Sequence, residues 1–276
     1  MDSILHEKTA DCNVEMTLET DETNLPAYLA VALGVFCIGS SAIFVKIANV
    51  EGVVSAFYRL FFAALVVVPF WVTKRPAWPN RQDALWIVLG GVFFALDLVL
   101  WNTGILLTSA ATATLLANNA PLWVGLGAML LFREKLSAKF WIGLFIAASL
   151  FYAAYLLATQ KARKKVDTLT FTCLSMVTGV VILFPVSVLS DKTLIGFSSK
   201  TWLALLGLGL FSQLTGWLAI NKAFGRLRAA PVSVCLLLQP VVTAILGIIF
   251  LGESLQTSDL FGGTLVLVGV FFVNQR

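Results

Sequence analysis

Nine stretches of about 20 apolar residues follow one another along this chain, at roughly 26–48, 53–73, 83–105, 109–132, 139–160, 168–190, 201–221, 230–251 and 258–275. A helix rising 1.5 Å per residue needs that length to cross a hydrocarbon layer about 30 Å thick. Each stretch is continuously apolar instead of alternating over about ten residues, so helices and not barrel strands are predicted. Composition agrees: 59% of the 276 residues are hydrophobic and 12% charged, with mean hydropathy +0.90, whereas soluble domains run near a quarter charged. The lipid bilayer is therefore the predicted solvent. The net charge of +4 is small and its cations sit in short connections, a pattern that orients spans and argues against a nucleic-acid partner.

Residues 1–24 carry Asp2, Glu7, Asp11, Glu15, Glu19, Asp21 and Glu22, so this acidic segment lacks the basic start of a signal peptide and reads as a disordered tail. Cys12, Cys37, Cys173 and Cys235 show neither paired nor metal-binding spacing and read as small packing residues.

The chain repeats itself. Pro69 and Trp101 recur as Pro185 and Trp217 at a spacing of 116, and Pro121, Glu134, Leu136 and Gly143 recur as Pro240, Glu253, Leu255 and Gly262 at a spacing of 119. PLWVGLGAMLLFREKL and PVVTAILGIIFLGESL hold the clearest register. Both halves lay claim to the run at 139–160. Either they share a span or the chain lacks one helix relative to a five-plus-five ancestor.

Charge separates these alternatives. With ten spans and a cytoplasmic N-terminus, only Lys46, Arg59, Lys192 and Lys200 fall away from the inner side; with nine, the Lys161–Lys165 and Lys222–Arg228 groups and Arg276 move outside. The positive-inside rule favours ten. We therefore expect a first repeat over 25–147 and a second, inverted repeat over 148–276, with one span missing near 147–149. The expected fold class is an all-α membrane protein, an inverted-repeat bundle of ten helices of which about nine are visible in this chain. Inverted repeats enclosing a site at their seam are a transporter architecture.

GSSAIFVK in the first span, YRLFFAAL in the second, LLTSAATATLLANNAPLW, FREKLSAKFWIG and RAAPVSVCLLLQPVVTAILGIIFLGESL together resemble the EamA-type members of the drug/metabolite transporter superfamily. The resemblance implies ten helices, cytoplasmic N- and C-termini in the plasma or inner membrane, and a central cavity between two five-helix halves. It also implies alternating-access movement of amino acids, other metabolites or toxic compounds, often outward, with a small-molecule substrate as partner. A coupling proton and a homodimer stay open.

Asp97 is the acidic residue placed deepest in a span, where an ionised group costs about 2.5–3.5 kcal/mol and needs a partner. Its depth matches that of Arg59, so an intramembrane Asp97–Arg59 charge pair is expected, with Lys46 as a competitor at the rim. Such a pair serves either helix register or a substrate or proton site. At a spacing of 116, Asp97 corresponds to Gln213, and each precedes a tryptophan by one helical turn: Asp97 and Trp101, Gln213 and Trp217, with Asn221 one turn further. With Asn118 and Gln239, which precede Pro121 and Pro240, these residues form the expected cavity lining. Interfacial tryptophans and interhelical amide contacts are the plainer reading. Glu134 and Glu253 lie at repeat-related helix ends, where capping or salt bridging outweighs a catalytic role.

No catalytic residue, metal or cofactor is expected. His6 lies in the tail, so no intramembrane Ser/His relay is available, and Asp97 has no acidic mate for a paired-carboxylate protease. Without GxxxxGK[ST] the chain has no ATP-driven motif, which leaves secondary or facilitated transport. A non-transporting scaffold, and after it an intramembrane enzyme, are the competing classes.

Overall fold

The computed structural model describes residues 25–117, 165–190, 193–227 and 235–254, with residues 154, 155, 158, 159, 161, 162, 232, 257 and 264. Helices run over Leu25–Ala48 (α1), Gly52–Lys74 (α2), Arg81–Ile105 (α3), Ala110–Ala117 (α4), Thr168–Leu189 (α5), Ser199–Phe224 (α6) and Gln239–Leu251 (α7). Among the described residues there is no strand, and α1, α2, α3, α5 and α6 are each long and apolar enough to cross a membrane.

Polar residues fix where these helices begin. Asn80 Oδ1 accepts from the Asp83 N–H at 2.8 Å, Asp167 Oδ1 from Thr170 N–H at 3.0 Å and Ser198 Oγ from Thr201 N–H at 3.2 Å. Each bond satisfies a backbone donor that a first helical turn leaves open. The apolar run at 230–251 departs from the expectation of one unbroken span. The chain turns at Leu237 and Leu238, and α7 starts at Gln239. Pro240 falls in the first turn of α7, where its missing N–H breaks no helical bond.

Two spans are irregular. In α1, Ser40 Oγ donates to Cys37 O at 2.7 Å, while Thr243 Oγ1 from α7 donates to Gly39 O at 2.7 Å. In α6 the stretch Leu208–Gly216 is a π-helix. The irregularities meet: the Ser40 and Ser212 hydroxyls lie 3.2 Å apart.

Contacts between distant residues give the direction of each helix. Trp71 Nε1 donates to Thr170 Oγ1 at 3.0 Å, and Tyr58 Oη donates to Leu194 O at 2.6 Å, so α5 runs antiparallel to α2. Thr201 Oγ1 reaches Ala48 O at 3.3 Å and Gly34 approaches Ile220, so α6 runs antiparallel to α1. The α3 helix packs on α5, and the π stretch of α6 packs on α2. Leu60, Phe94, Ala95, Met176, Leu183 and Leu205 fill the space between them. Leu65, Val66, Phe70, Val181, Phe184 and Leu203 point outward, as lipid contact requires.

These directions sort the charges. Lys74, Arg75, Arg81, Lys165, Lys222 and Arg226 gather at one end of the bundle, and Lys46 and Lys200 at the other. The chain is at the Lys46 end at Ala110 and at the Lys74 end at Thr168. The expected missing span near 147–149, the runs at 139–160 and 258–275 and the tail 1–24 lie largely or wholly outside the described residues.

Candidate functional site

Midway along the bundle, three helices bring a small polar group together. Arg59 comes from α2, Asp97 and Trp101 from successive turns of α3, and Gln213 from the π stretch of α6. All are buried, with Arg59 1% exposed, Asp97 7% and Gln213 0%. Arg59 Nε donates to Gln213 Oε1 at 2.6 Å, and its guanidinium carbon sits 5.5 Å from the centre of the Trp101 ring, a cation–π distance. A backbone approach makes this possible: a Cβ at Gly209 would lie only 3.2 Å from the Arg59 carbonyl oxygen.

The Asp97–Arg59 interaction expected from depth is not a contact ion pair among the described residues. The field of Arg59 reaches the Asp97 carboxyl, but no ion pair within 4.0 Å joins them, and the Arg59 Nε bond goes to Gln213 instead. Equal depth in sequence fixes height in the bilayer and not rotation about the helix axis, and rotation turned Arg59 toward α6. No hydrogen bond to Asp97 occurs among the described residues, and the buried Gln213 Nε2 has no partner there.

One turn beyond Gln213 the surroundings become aromatic. The Trp217 ring stands edge-on to Phe94 at 4.8 Å and to Tyr155 at 5.0 Å, while Phe94 stacks on Tyr155 at 4.4 Å. Asn221 Nδ2 donates to Thr172 Oγ1 at 2.9 Å, tying α6 to α5, and Tyr155 Oη lies 3.5 Å from Asn221 Oδ1. Gln239, at the start of α7, is buried across from Gly39. Asn118 and Glu134 lie outside the described residues.

Glu253 belongs to a separate cluster at the Lys46 end. Its Oε1 is 2.6 Å from Lys46 Nζ, and its two oxygens accept from the Ala110 N–H at 3.1 and 3.0 Å. It therefore pairs with α1 and caps α4 from the chain segment after α7. Lys46, expected as a rival for Asp97, is held here. A cleft of about 570 Å³ opens at the same end, lined by Asn49, Glu51, Leu106, Thr193, Phe197 and Thr201 among others.

Sequence reasoning missed the aromatic cluster and the π stretch. Phe94 and Tyr155 looked like ordinary apolar residues. Gly207, Gly209 and Gly216, which frame the π stretch, were the available signal, because close backbone approach needs residues without a Cβ.

A buried charged centre between apolar helices is a candidate functional site of a membrane protein, and comparison with known sequences gives the class. The profile of the "EamA-like transporter family" matches residues 25–147 and again 139–275. The two matches overlap within the run that both repeats claim. This chain belongs to the EamA-like transporter family, as the motifs suggested, and is a multi-pass membrane protein. An "Uncharacterized transporter" of Archaeoglobus fulgidus is 25% identical over 87% of this chain and 93% of its own length. A "Probable terminal-alkyne amino-acid exporter" of Streptantibioticus cattleyicolor is 27% identical over 72% of this chain and 75% of its own. A crystal structure 16% identical in sequence superposes with a TM-score of 0.62, covering 88% of this chain and 95% of that one, a likeness of fold.

Proposed function

We propose that the protein is a secondary transporter that exports a small amphipathic metabolite, such as an amino acid, by alternating access between two inverted repeats at 25–147 and 148–276. Of all the observations, the Arg59–Gln213 bond carries this reading furthest. It links a charged residue of the first half to a polar residue of the second at a buried level, beside Asp97 and both tryptophans. The buried Gln213 Nε2, which meets no acceptor among the described residues, suits a compartment occupied by water or solute. The antiparallel packing of α5 on α2 and of α6 on α1 fits halves of opposite orientation.

The Lys74 end is read as cytoplasmic from its cations, and both termini are proposed to lie on that side. Export is favoured by the relative named as an amino-acid exporter. Trp101, Trp217, Asn221 and Gln239 line the proposed cavity with Asp97 and Gln213, and Asn118 is assigned there by its place in the repeat. A proton is the proposed coupling ion, with Asp97 as its carrier.

Efflux tests this. Vesicles containing the purified protein are loaded with labelled amino acids and related metabolites and followed with and without a pH gradient. Protein-dependent, gradient-sensitive efflux of at least one solute is expected. Vesicles that release none faster than protein-free controls would leave the scaffold reading standing, and release of a chemically altered product would point to an enzyme.

A further inference from the structure

Between the cleft at the Lys46 end and the central polar group lies a layer of packed apolar side chains. Leu106 is one wall of the cleft, and it packs in turn on a cluster that contains Ala42, Val45, Trp101, Ile105 and Leu208, supplied by α1, α3 and the π stretch of α6. Ala42, Val45, Ile105 and Leu208 are fully buried. Trp101 completes the series, because its ring centre also lies 5.5 Å from the Arg59 guanidinium carbon. Cleft, apolar plug and polar group therefore follow one another from that end of the bundle inward.

The Lys46–Glu253 pair ties the rim of this plug. Lys46 follows Val45 on α1, Ala110 at the start of α4 belongs to the same cluster, and Glu253 follows α7, whose last residue Leu251 packs against it. Gly252, with φ of 64°, turns the chain off the α7 axis, and the Glu253 N–H bonds back to Gly247 O at 3.2 Å. The carboxylate is thereby directed onto α1 and α4. Lys46 and Ala110 fall in the first match to the family and Glu253 in the second, so one side chain joins both halves. We propose that Lys46 and Glu253 form the latch of a gate at this end. With the pair formed, the plug seals the polar group from the cleft; when it breaks, the end of α7 leaves α1 and α4 and the two spaces join. This rests on the transporter reading above, in which the polar group opens to each side of the membrane in turn. The strength of the contact suits a latch. Its side chains keep 24% and 16% of their surface exposed, so both regain water on separation and neither is stranded as a buried charge. A pair of this kind biases a two-state equilibrium by up to about fivefold, which holds the gate shut and still lets it open.

The test reads the plug directly, with one cysteine in an otherwise cysteine-free full chain purified in detergent. Val45→Cys puts a thiol in the plug, and Val67→Cys puts one in the packed interior of α2 beyond Arg59. The rate of modification by a neutral, hydrophilic methanethiosulfonate is measured for each. Lys46→Met removes the ion pair, and Glu253→Gln removes it while keeping an oxygen that can accept from the Ala110 N–H. Each is expected to raise the rate at position 45 about threefold or more, with the rate at position 67 unchanged or lower. Losing a cation and losing an anion act on a nearby thiol's ionisation in opposite directions, so a rise in both variants reports access. Combined, the two substitutions should do no more than either alone, because they remove the same contact.

A smaller rise at position 45 in either variant overturns the latch. So does an equal rise at positions 45 and 67, which marks general loosening, or full additivity in the double variant. The labelling needs no solute, which separates its failure from that of the transporter reading. Vesicle efflux without the change at position 45 removes the latch and keeps transport, whereas the change at position 45 in a protein that shows no efflux keeps the latch as a switch and removes transport.

Discussion

Glu253 Oε1 lies 2.6 Å from Lys46 Nζ, and both Glu253 oxygens also accept from the Ala110 N–H that begins α4. The two roles differ in what a substitution removes. Glu253→Ala loses the ion pair and the cap, and should cost about 1–2 kcal/mol. Lys46→Met loses only the partly buried ion pair, leaves the cap in place and should cost about 1 kcal/mol or less. Thermal unfolding in detergent checks the order; equal losses would mean that the cap contributes nothing.

Close packing of α2 on α3 depends on Gly52. A Cβ there would lie 2.7 Å from Thr103 Cα, a backbone atom that cannot move aside, so Gly52→Ala should destabilise by about 1–3 kcal/mol. Gly90 is the control. Its added Cβ would meet Ala158 Cβ at 3.4 Å, and Gly90→Ala should be neutral or stabilising because alanine is the better helix former by about 1 kcal/mol. Both are read by melting temperature.

At the join of α6 and α5, the 2.9 Å bond from Asn221 to Thr172 is well formed, and the 3.5 Å Tyr155–Asn221 contact is at the outer limit for a hydrogen bond. Thr172→Val should therefore cost about 0.6 kcal/mol, the average for a polar contact between membrane helices. Tyr155→Phe keeps the stack on Phe94 and should cost less. Unfolding rates of the two variants make the comparison.

Sidedness follows from the helix directions. Single cysteines replacing Arg75, Lys165 and Arg226 should react with a membrane-impermeant maleimide only from the cytoplasmic face, and one replacing Lys200 only from outside. Labelling of intact cells against inverted vesicles measures this. Positions 75 and 165 reacting from opposite sides would break the antiparallel order fixed by the Trp71–Thr170 bond.

The spans were legible because lipid imposes a length and an apolarity that composition reports directly: α1, α2, α3, α5 and α6 begin and end within three residues of the expected runs. Trp71 beside Thr170 puts the start of α5 at the Lys74 end of the bundle. What sequence could not supply was azimuth. Arg59 and Asp97 shared a depth, yet the Arg59 Nε turned to Gln213, which the repeat had named as the counterpart of Asp97. The aromatic cluster was hidden for a related reason, since Phe94 and Tyr155 lie far apart in the chain and meet only through packing.

The nine π-helical residues Leu208–Gly216 set a limit on how alike the two halves can be. The corresponding helix of the first half, α3, is α-helical along its whole length. Residues matched one for one by duplication, such as Trp101 and Trp217, therefore do not emerge at matching angles. A rod with i→i+4 bonding throughout faces a counterpart whose middle is wound more loosely, so deformation would concentrate in one ancestral copy while the other serves as the fixed frame.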